Sequence, residues 1–362
     1  MPDKRSSPPS TTLASFVQLG SVLAFFAEAQ PWPGHGIGLT ESEYQAFQAA
    51  LSQAQVRNGW FTQEQVRFAA NGLVAMLDKA SMEQWLAHYP ALSGSRTSST
   101  VGIIMAGNIP FVGFHDLLCA LLCGHRPVVR VAADDAGLTP ALVELLGRFA
   151  PELAERVVFS SGRFTGVDAI IATGSNNTAR YFNHYFGHLP HIIRKGRTSV
   201  AVLDGTESPQ ELGGLADDVF RYFGLGCRNV GKVFIPREFD LDRLFAAFFP
   251  WKEIIQHHKY ANNYDYNRAV WLMDRAAIVE NGFLVLKEDA ALNSPVAALY
   301  YERYDDLVEV EARLALEEDK LQCIVGHGHV PFGVAQLPGP GEYADGVDTM
   351  AFLLALDQGT KV

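Results

Sequence analysis

The stretch VGIIMAGNIPFVGFHDLLCALLCGHRPVVRV, residues 101–131, sets the fold class. VGIIM is a short apolar run and GNIP breaks it. FVGFHDLLCALLCG reads as a buried helix, and RPVVRV as the next strand. Strand, turn, helix and strand make a βαβ unit. The alternation then continues. TPALVELLGRFAPELAERVVF (139–159) predicts a helix and a strand. VDAIIATGS (167–175), followed by NNTARYFNHYF (176–186), predicts strand, turn and helix, and SVAVLDG (199–205) another strand. Such alternation implies an α/β protein with a largely parallel sheet.

Outward on the N-terminal side, residues 40–92 look helical. TESE (Thr40 to Glu43) fits a capping box and TQEQ (Thr62 to Gln65) another. SGSRTSS (93–99) reads as a linker, and the Ser/Pro-rich MPDKRSSPPSTT (1–12) as a frayed tail. No secretory pattern is expected, because no long apolar block is read after the basic start. Nor is any apolar run read as reaching the roughly 18–20 residues of a membrane span.

On the C-terminal side, SPQE at Ser208 supplies an N-cap, a Pro at the first helical position and a Glu at the third. Leu212, Leu215, Val219, Phe220 and Phe223 recur at helical spacing, and Gly224 can stop the helix in a left-handed cap. VGKVFIP (230–236) begins a strand. SPVAALYYERYDD (294–306) suggests a strand leaving a loop, and EEDKLQCIVG (317–326) a helix end and a strand.

Composition narrows the function. The chain has 362 residues and a formal net charge of −11. No basic footprint suggests nucleic acid. Four cysteines make no dense disulfide framework, so a reducing, cytoplasmic setting is the simplest expectation. Cys119 and Cys123, four apart, share a helix face and read as core. His184 and His188 share another face, but no Cys or carboxylate set joins them, so no metal site is expected. Cys227 differs from the other cysteines. It lies in RYFGLGCRNVGKVFIP (221–236), flanked by Gly224, Gly226, Arg228 and Asn229 at a helix-to-strand junction. The glycines would leave its sulfur approachable and Arg228 would favour the thiolate, although a buried structural cysteine fits the local sequence too.

In order and spacing, these segments resemble the aldehyde dehydrogenase superfamily, in its acyl-CoA reductase branch, which includes the fatty-acid reductase of bacterial bioluminescence. GNIPF resembles the superfamily's Pro- and Asn-containing loop, CGHRPVVRVAADD its glycine, strand and basic-residue segment, ATGSNNTARYF its cofactor loop and GLGCRN its nucleophile loop. NNYDYN and YADGVDTMAFLL resemble the acyl-CoA reductase branch itself. The resemblance spans roughly residues 100–355. It implies a parallel Rossmann-like cofactor domain, an α/β catalytic domain and a helical N-terminal segment. The expected divisions are 1–95 for the tail and helical segment, 96–205 for dinucleotide binding, and 206–362 for catalysis with a C-terminal return.

The resemblance also implies roles. Cys227 would be the nucleophile, since a thiolate attacks a thioester and forms another thioester. The Asn108 side-chain amide and the Cys227 backbone N–H would stabilise the oxyanion. Asn108 follows a predicted strand, where ligands of open α/β sheets gather, though an Asn in a turn before Pro110 is an ordinary finding. No GxGxxG follows a strand, and Thr173, Gly174 and Ser175 match the superfamily's alternative cofactor loop. Arg130 occupies the basic position near the adenosine ribose. It would pair with a 2′-phosphate, which favours NADP(H) over NAD(H), unless it serves as a surface salt-bridge partner.

Two departures follow from the same resemblance. Arg194 stands where oxidising members carry the glutamate that activates the deacylating water. Ala291 stands where another glutamate holds the nicotinamide ribose, with Glu288 the available substitute. The implied activity is NAD(P)H-dependent reduction of an acyl-CoA, or an acyl carrier protein thioester, by a homo-oligomer. The alternatives are an acyltransferase using the same cysteine and a non-catalytic scaffold. The segment around His257, His258 and KYANNYDYN would line the acyl or CoA side or form a polar packed loop, and GHGHVPFG would close over substrate or be a turn. RLFAAFFPW (243–251) fits an apolar pocket or a core.

Overall fold

A computed structural model describes residues 9–94 and 97–356. The described residues form two compact units, one of residues up to 195 together with 338–356, the other of residues 196–337.

The first unit opens with helices α1 (Pro9–Ala27), α2 (Glu41–Arg57), α3 (Gln63–Met76) and α4 (Lys79–Leu86). Thr40 caps α2 in a complete capping box, and Thr62 caps α3 through the Gln65 N–H. Helix α1 corrects two expectations. Pro9 to Thr12, read as tail, already belong to it, while residues 1–8 lie outside the described residues. Its segment Ser10–Ala27 is also long and apolar enough to cross a membrane by length and composition, with a mean hydropathy of 1.4. Ser, Thr, Gln and Gly interrupt the apolar run, so it reads as shorter than it is. Phe16, Leu19, Val22, Leu23 and Phe26 form a buried stripe on α1. Phe26 stacks on Tyr44 with ring centroids 4.2 Å apart. A Cβ at Gly20 would meet the Leu77 side chain at 2.8 Å, so glycine permits this close packing.

Strands and helices then alternate: β1 (Thr100–Ile104), α5 (Phe114–Leu122), β2 (Arg126–Arg130), α6 (Leu138–Gly147), α7 (Pro151–Ala154), β3 (Val158–Phe159), β4 (Ala169–Thr173), α8 (Asn176–Phe186) and β5 (His191–Arg194). The sheet order is β3-β2-β1-β4-β5 and every pairing is parallel. Val101, Ile103, Ile170 and Ile171 are fully buried, as expected for a parallel sheet covered on both faces. Of the expected linker, Ser95 and Arg96 lie outside the described residues.

The second unit contains β6 (Thr198–Val202), α9 (Pro209–Phe220), β7 (Val230–Pro236), α10 (Asp242–Phe248), α11 (His258–Met273), β8 (Ile278–Glu280), β9 (Val285–Glu288), β10 (Ala298–Tyr304), α12 (Leu307–Leu316) and β11 (Leu321–Gly326). Its sheet runs β11-β6-β7-β10-β9-β8, parallel except for the β8–β9 pair. The last described element is α13 (Thr349–Ala355), which belongs to the first unit and packs on α5.

The α/β architecture and helical N-terminal segment are therefore as expected, but the compact units differ from the expected divisions at 95/96 and 205/206. The N-terminal helices share the unit of the parallel sheet. Strand β6 pairs with β7 and β11 in the second unit, and residues 338–356 return to the first. KYANNYDYN is helical, within α11, rather than a loop.

Candidate active site

In the first sheet the strand order reverses at β1, with β2 on one side and β4 on the other. The carboxyl ends of β1 and β4 therefore bound a topological switch point, where open α/β sheets bind ligands. The loop after β1 carries Asn108, which is exposed. A Cβ on neighbouring Gly107 would lie 2.8 Å from the Ala132 Cβ and 2.9 Å from the Asp135 nitrogen, so this loop lies tight against the one after β2. Arg130 ends β2 in register with Ile104 of β1. Its guanidinium carbon lies 5.0 Å from the Phe164 ring centroid, and its Nε is buried without a hydrogen-bond partner.

Thr173, Gly174 and Ser175 join β4 to α8. The Gly174 N–H donates to the Arg194 carbonyl at 3.3 Å, and the Thr178 N–H donates to the Ser175 hydroxyl at 3.2 Å. Ser175 is thus the N-cap of α8, whose first-turn N–H groups and positive dipole end face this loop. Three of the expected elements, Asn108, Arg130 and the 173–175 loop, consequently lie at the carboxyl ends of adjacent strands.

Arg194 has another occupation. It is 3% exposed, and its two terminal nitrogens donate to the Asp116 carboxylate at 2.6 and 2.9 Å. It also donates to the Thr349 hydroxyl at 2.9 Å, which ties β5 to α5 and α13. The sequence showed the missing glutamate there but not this buried network, in which the ion-pair partner Asp116 lies 78 residues away and the Thr349 hydroxyl 155.

In the second unit, the Ser208 capping box starts α9 as expected. Its end departs from expectation. Tyr222 and Phe223 adopt left-handed backbone, with φ of 53° and 58°, before Gly224 at 77°. Glycine alone signalled this conformation. The two aromatic residues hold it through burial, with the Phe223 ring 4.3 Å from that of His257. Cys227 follows in a turn before β7 and is exposed, unlike the buried Cys119 and Cys123. Asn229 closes that turn by donating its N–H to the Gly226 carbonyl at 3.1 Å.

Around this turn, Asp218 is fully buried and accepts from the Gly333 and Ala335 N–H groups at 2.7 and 3.0 Å. Burial, only partly offset by those bonds, pushes its carboxyl up to about 6. Part of GHGHVPFG is thereby anchored to α9. The Tyr260 hydroxyl donates to the Phe283 carbonyl at 3.0 Å, and Asn267 to the Val296 carbonyl at 2.9 Å, so α11 packs behind the turn. A cavity there of about 30 Å³ is too small for an acyl chain. RLFAAFFPW supplies core: Leu244 and Phe248 are fully buried, and Phe220 packs between Phe248 and Trp251.

At the other end of the second sheet, Asp204, Glu207 and His327 each place a possible metal-ligand atom within 4.8 Å of the others. No sequence spacing signalled this cluster. His327 spends both ring nitrogens on Asp204 and Glu211, at 2.8 and 2.9 Å. Those two hydrogen bonds raise it to about 9, so the group is an ion-paired clamp.

Two α/β units, one with a parallel sheet and loops gathered at its switch point, the other with an exposed cysteine in a turn before a strand, make up the aldehyde dehydrogenase fold. No family model matches the chain and no curated protein matches it in sequence. Among solved structures, the Delta-pyrroline-5-carboxylate dehydrogenase of Mycobacterium tuberculosis matches with a TM-score of 0.62 and 14% identity, over 97% of this chain and 78% of its own. An aldehyde dehydrogenase of the same organism, complexed with NAD+, matches at 0.55 and 17%, over 86% and 71%. An aldehyde dehydrogenase C mutant from Pseudomonas syringae, complexed with NAD+ and octanal, matches at 0.56 and 14%, over 85% and 70%.

Proposed function

We propose that this protein is an NAD(P)H-dependent acyl-CoA reductase that works through an acyl-enzyme on Cys227. The observation that carries the reading is the exposed Cys227 in its turn between α9 and β7, in a chain of this fold. The residues present fit a dinucleotide. Arg130 offers a buried, unpartnered Nε for a 2′-phosphate, which favours NADPH over NADH. A Cβ at Gly174 would crowd Phe182 and Thr178 at 3.1 Å, so the loop backbone stays bare beside the N-terminus of α8 for a diphosphate. When bound, the cofactor supplies hydride.

The chain's own residues do the rest. The Cys227 thiolate attacks the thioester carbonyl, the carbon–sulfur bond to CoA breaks, and CoA leaves as its thiolate. The Cys227 N–H would steady the oxyanion, and the resemblance implies the Asn108 amide as the second donor. After reduction, the thiohemiacetal on Cys227 expels the cysteine sulfur and aldehyde departs. Arg194, a guanidinium that stays protonated, supplies no base for water, and this favours reduction over acyl-enzyme hydrolysis.

Ala291 motivates a second reading, an acyltransferase that passes the chain from Cys227 to a partner. Lys232, fully buried, donates to the Asp289 and Ala290 carbonyls at 2.9 and 3.1 Å, and so fixes this loop without a carboxylate at 291. A panel of acyl-CoAs with NADPH or NADH separates the two. Cofactor oxidation with aldehyde formation is the expected result. An acyl-enzyme without cofactor oxidation selects the transferase, and a Cys227→Ala protein as active as wild type overturns both.

A further inference from the structure

We infer that Asn229 and Ser199 are positioning residues that aim the Cys227 amide at the oxyanion. The inference rests on the acyl-enzyme reading above. Asn229 is 4% exposed and uses both ends of its side chain. Its Nδ2 donates to the Asp218 and Arg221 carbonyls at 3.0 and 2.8 Å, at the end of α9. Its Oδ1 accepts the Gly226 N–H at 2.7 Å. With its own N–H on the Gly226 carbonyl at 3.1 Å, it closes the turn twice. Ser199 of β6 is fully buried and donates its hydroxyl to the Cys227 carbonyl at 2.9 Å. That hydroxyl also accepts the Cys323 N–H at 3.2 Å and lies 3.1 Å from the Cys323 sulfur.

These bonds set both peptide planes that meet at Cys227. In a trans peptide the C=O and N–H point in opposite directions. The Gly226 carbonyl is drawn into the turn by Asn229, so the Cys227 N–H is directed to the turn's other side. Ser199 pins the next peptide through the Cys227 carbonyl. The Cα–Cβ bond, and with it the approach of the sulfur, is set by the same two planes. The segment needs such pinning, because Tyr222 and Phe223 are held in left-handed backbone that non-glycine residues seldom adopt. Capping α9 alone would account for the Asp218 and Arg221 bonds. It would not require the Gly226 clamp or the Ser199 bond.

The test compares two reactions of the same sulfur in Ser199→Ala and Asn229→Ala. Acylation by octanoyl-CoA without cofactor, followed by intact mass, builds charge on an oxygen and needs the aimed N–H. Alkylation of Cys227 by iodoacetamide across pH 6–10 develops no oxyanion. Losing an oxyanion donor costs about 10²–10³ in rate, so misaiming one should cost about tenfold to a hundredfold. The expected result is that drop in acylation, with the thiol pKa unchanged and the limiting alkylation rate within about twofold of wild type. Ser199→Ala removes a single oxygen and keeps the inference testable if Asn229→Ala does not fold. Variants that acylate at the wild-type rate, or lose acylation and alkylation equally, overturn the inference alone. A wild-type protein that alkylates but never acylates overturns the acyl-enzyme reading and this inference with it.

Discussion

Replacing Arg194 by methionine tests whether the cation at this position belongs to the fold. Arg194 and Asp116 are 3% and 8% exposed and joined by two hydrogen bonds, with a third from Arg194 to Thr349. Removing the guanidinium leaves a buried carboxylate without its cation, and breaking such a pair costs about 3–5 kcal/mol. At about 2–4 °C per kcal/mol for a domain of roughly 150–250 residues, the melting temperature should fall by about 6–20 °C. In the double variant Arg194→Met with Asp116→Leu no charge is stranded, and most of the loss should return. Thermal melts by circular dichroism and urea titrations of the four proteins at pH 7 give the coupling directly, with at least about 2 kcal/mol expected. A single variant within about 1 kcal/mol of wild type, or a double variant no better than the worse single, would refute the reasoning.

Arg130→Ala should weaken NADPH binding about tenfold to a hundredfold, the worth of a charge-assisted hydrogen bond, and leave NADH unchanged in a fluorescence titration. Equal loss for both cofactors would remove Arg130 from the 2′-phosphate role. For Asp218, the folded value of about 6 lies above the ordinary unfolded value, so the native state holds the proton more tightly. Its contribution to stability therefore falls as pH rises from about 4 to about 6, by about 3 kcal/mol. Urea midpoints should show Asp218→Asn gaining on wild type across that window, and a constant difference would contradict this. For His327, the raised value of about 9 makes the clamp's contribution full below its ordinary value and lost as pH rises through about 9. Asp204 and Glu211, each lowered to about 2, carry their share above the ordinary carboxylate values and lose it as pH falls through about 2. The melting-temperature advantage of wild type over His327→Gln should therefore vanish above about pH 9, and an advantage that persists there would rule out the clamp.

The strands from β1 to β4 and their helices were legible because each carries its signal locally, as an apolar run ended by Gly, Pro or a capping residue. Ser208 and Thr40 announced α9 and α2 because a cap satisfies N–H groups only three residues away. Helix α1 was missed because its buried stripe is diluted by small polar residues, and β5 because HIIR is only four residues long. At the candidate site, glycines marked the Cys227 turn. Asn229 passed as one more turn residue, since its four hydrogen bonds with Asp218, Arg221 and Gly226 exist only once α9 has ended in left-handed backbone.

The sequence by itself determined the alternation of strands and helices and marked the Cys227 turn with its glycines, whereas Asn108, Arg130 and the 173–175 loop were singled out only through the family resemblance. Periodicity, caps and breakers act over a few residues and need no partner. Only the tertiary structure decided that residues 338–356 share a unit with the N-terminal helices, that Arg194 is committed to Asp116, and that Ser199 holds the Cys227 carbonyl. A buried charge or carbonyl needs a partner from wherever packing brings one, and distance along the chain carries no trace of that choice.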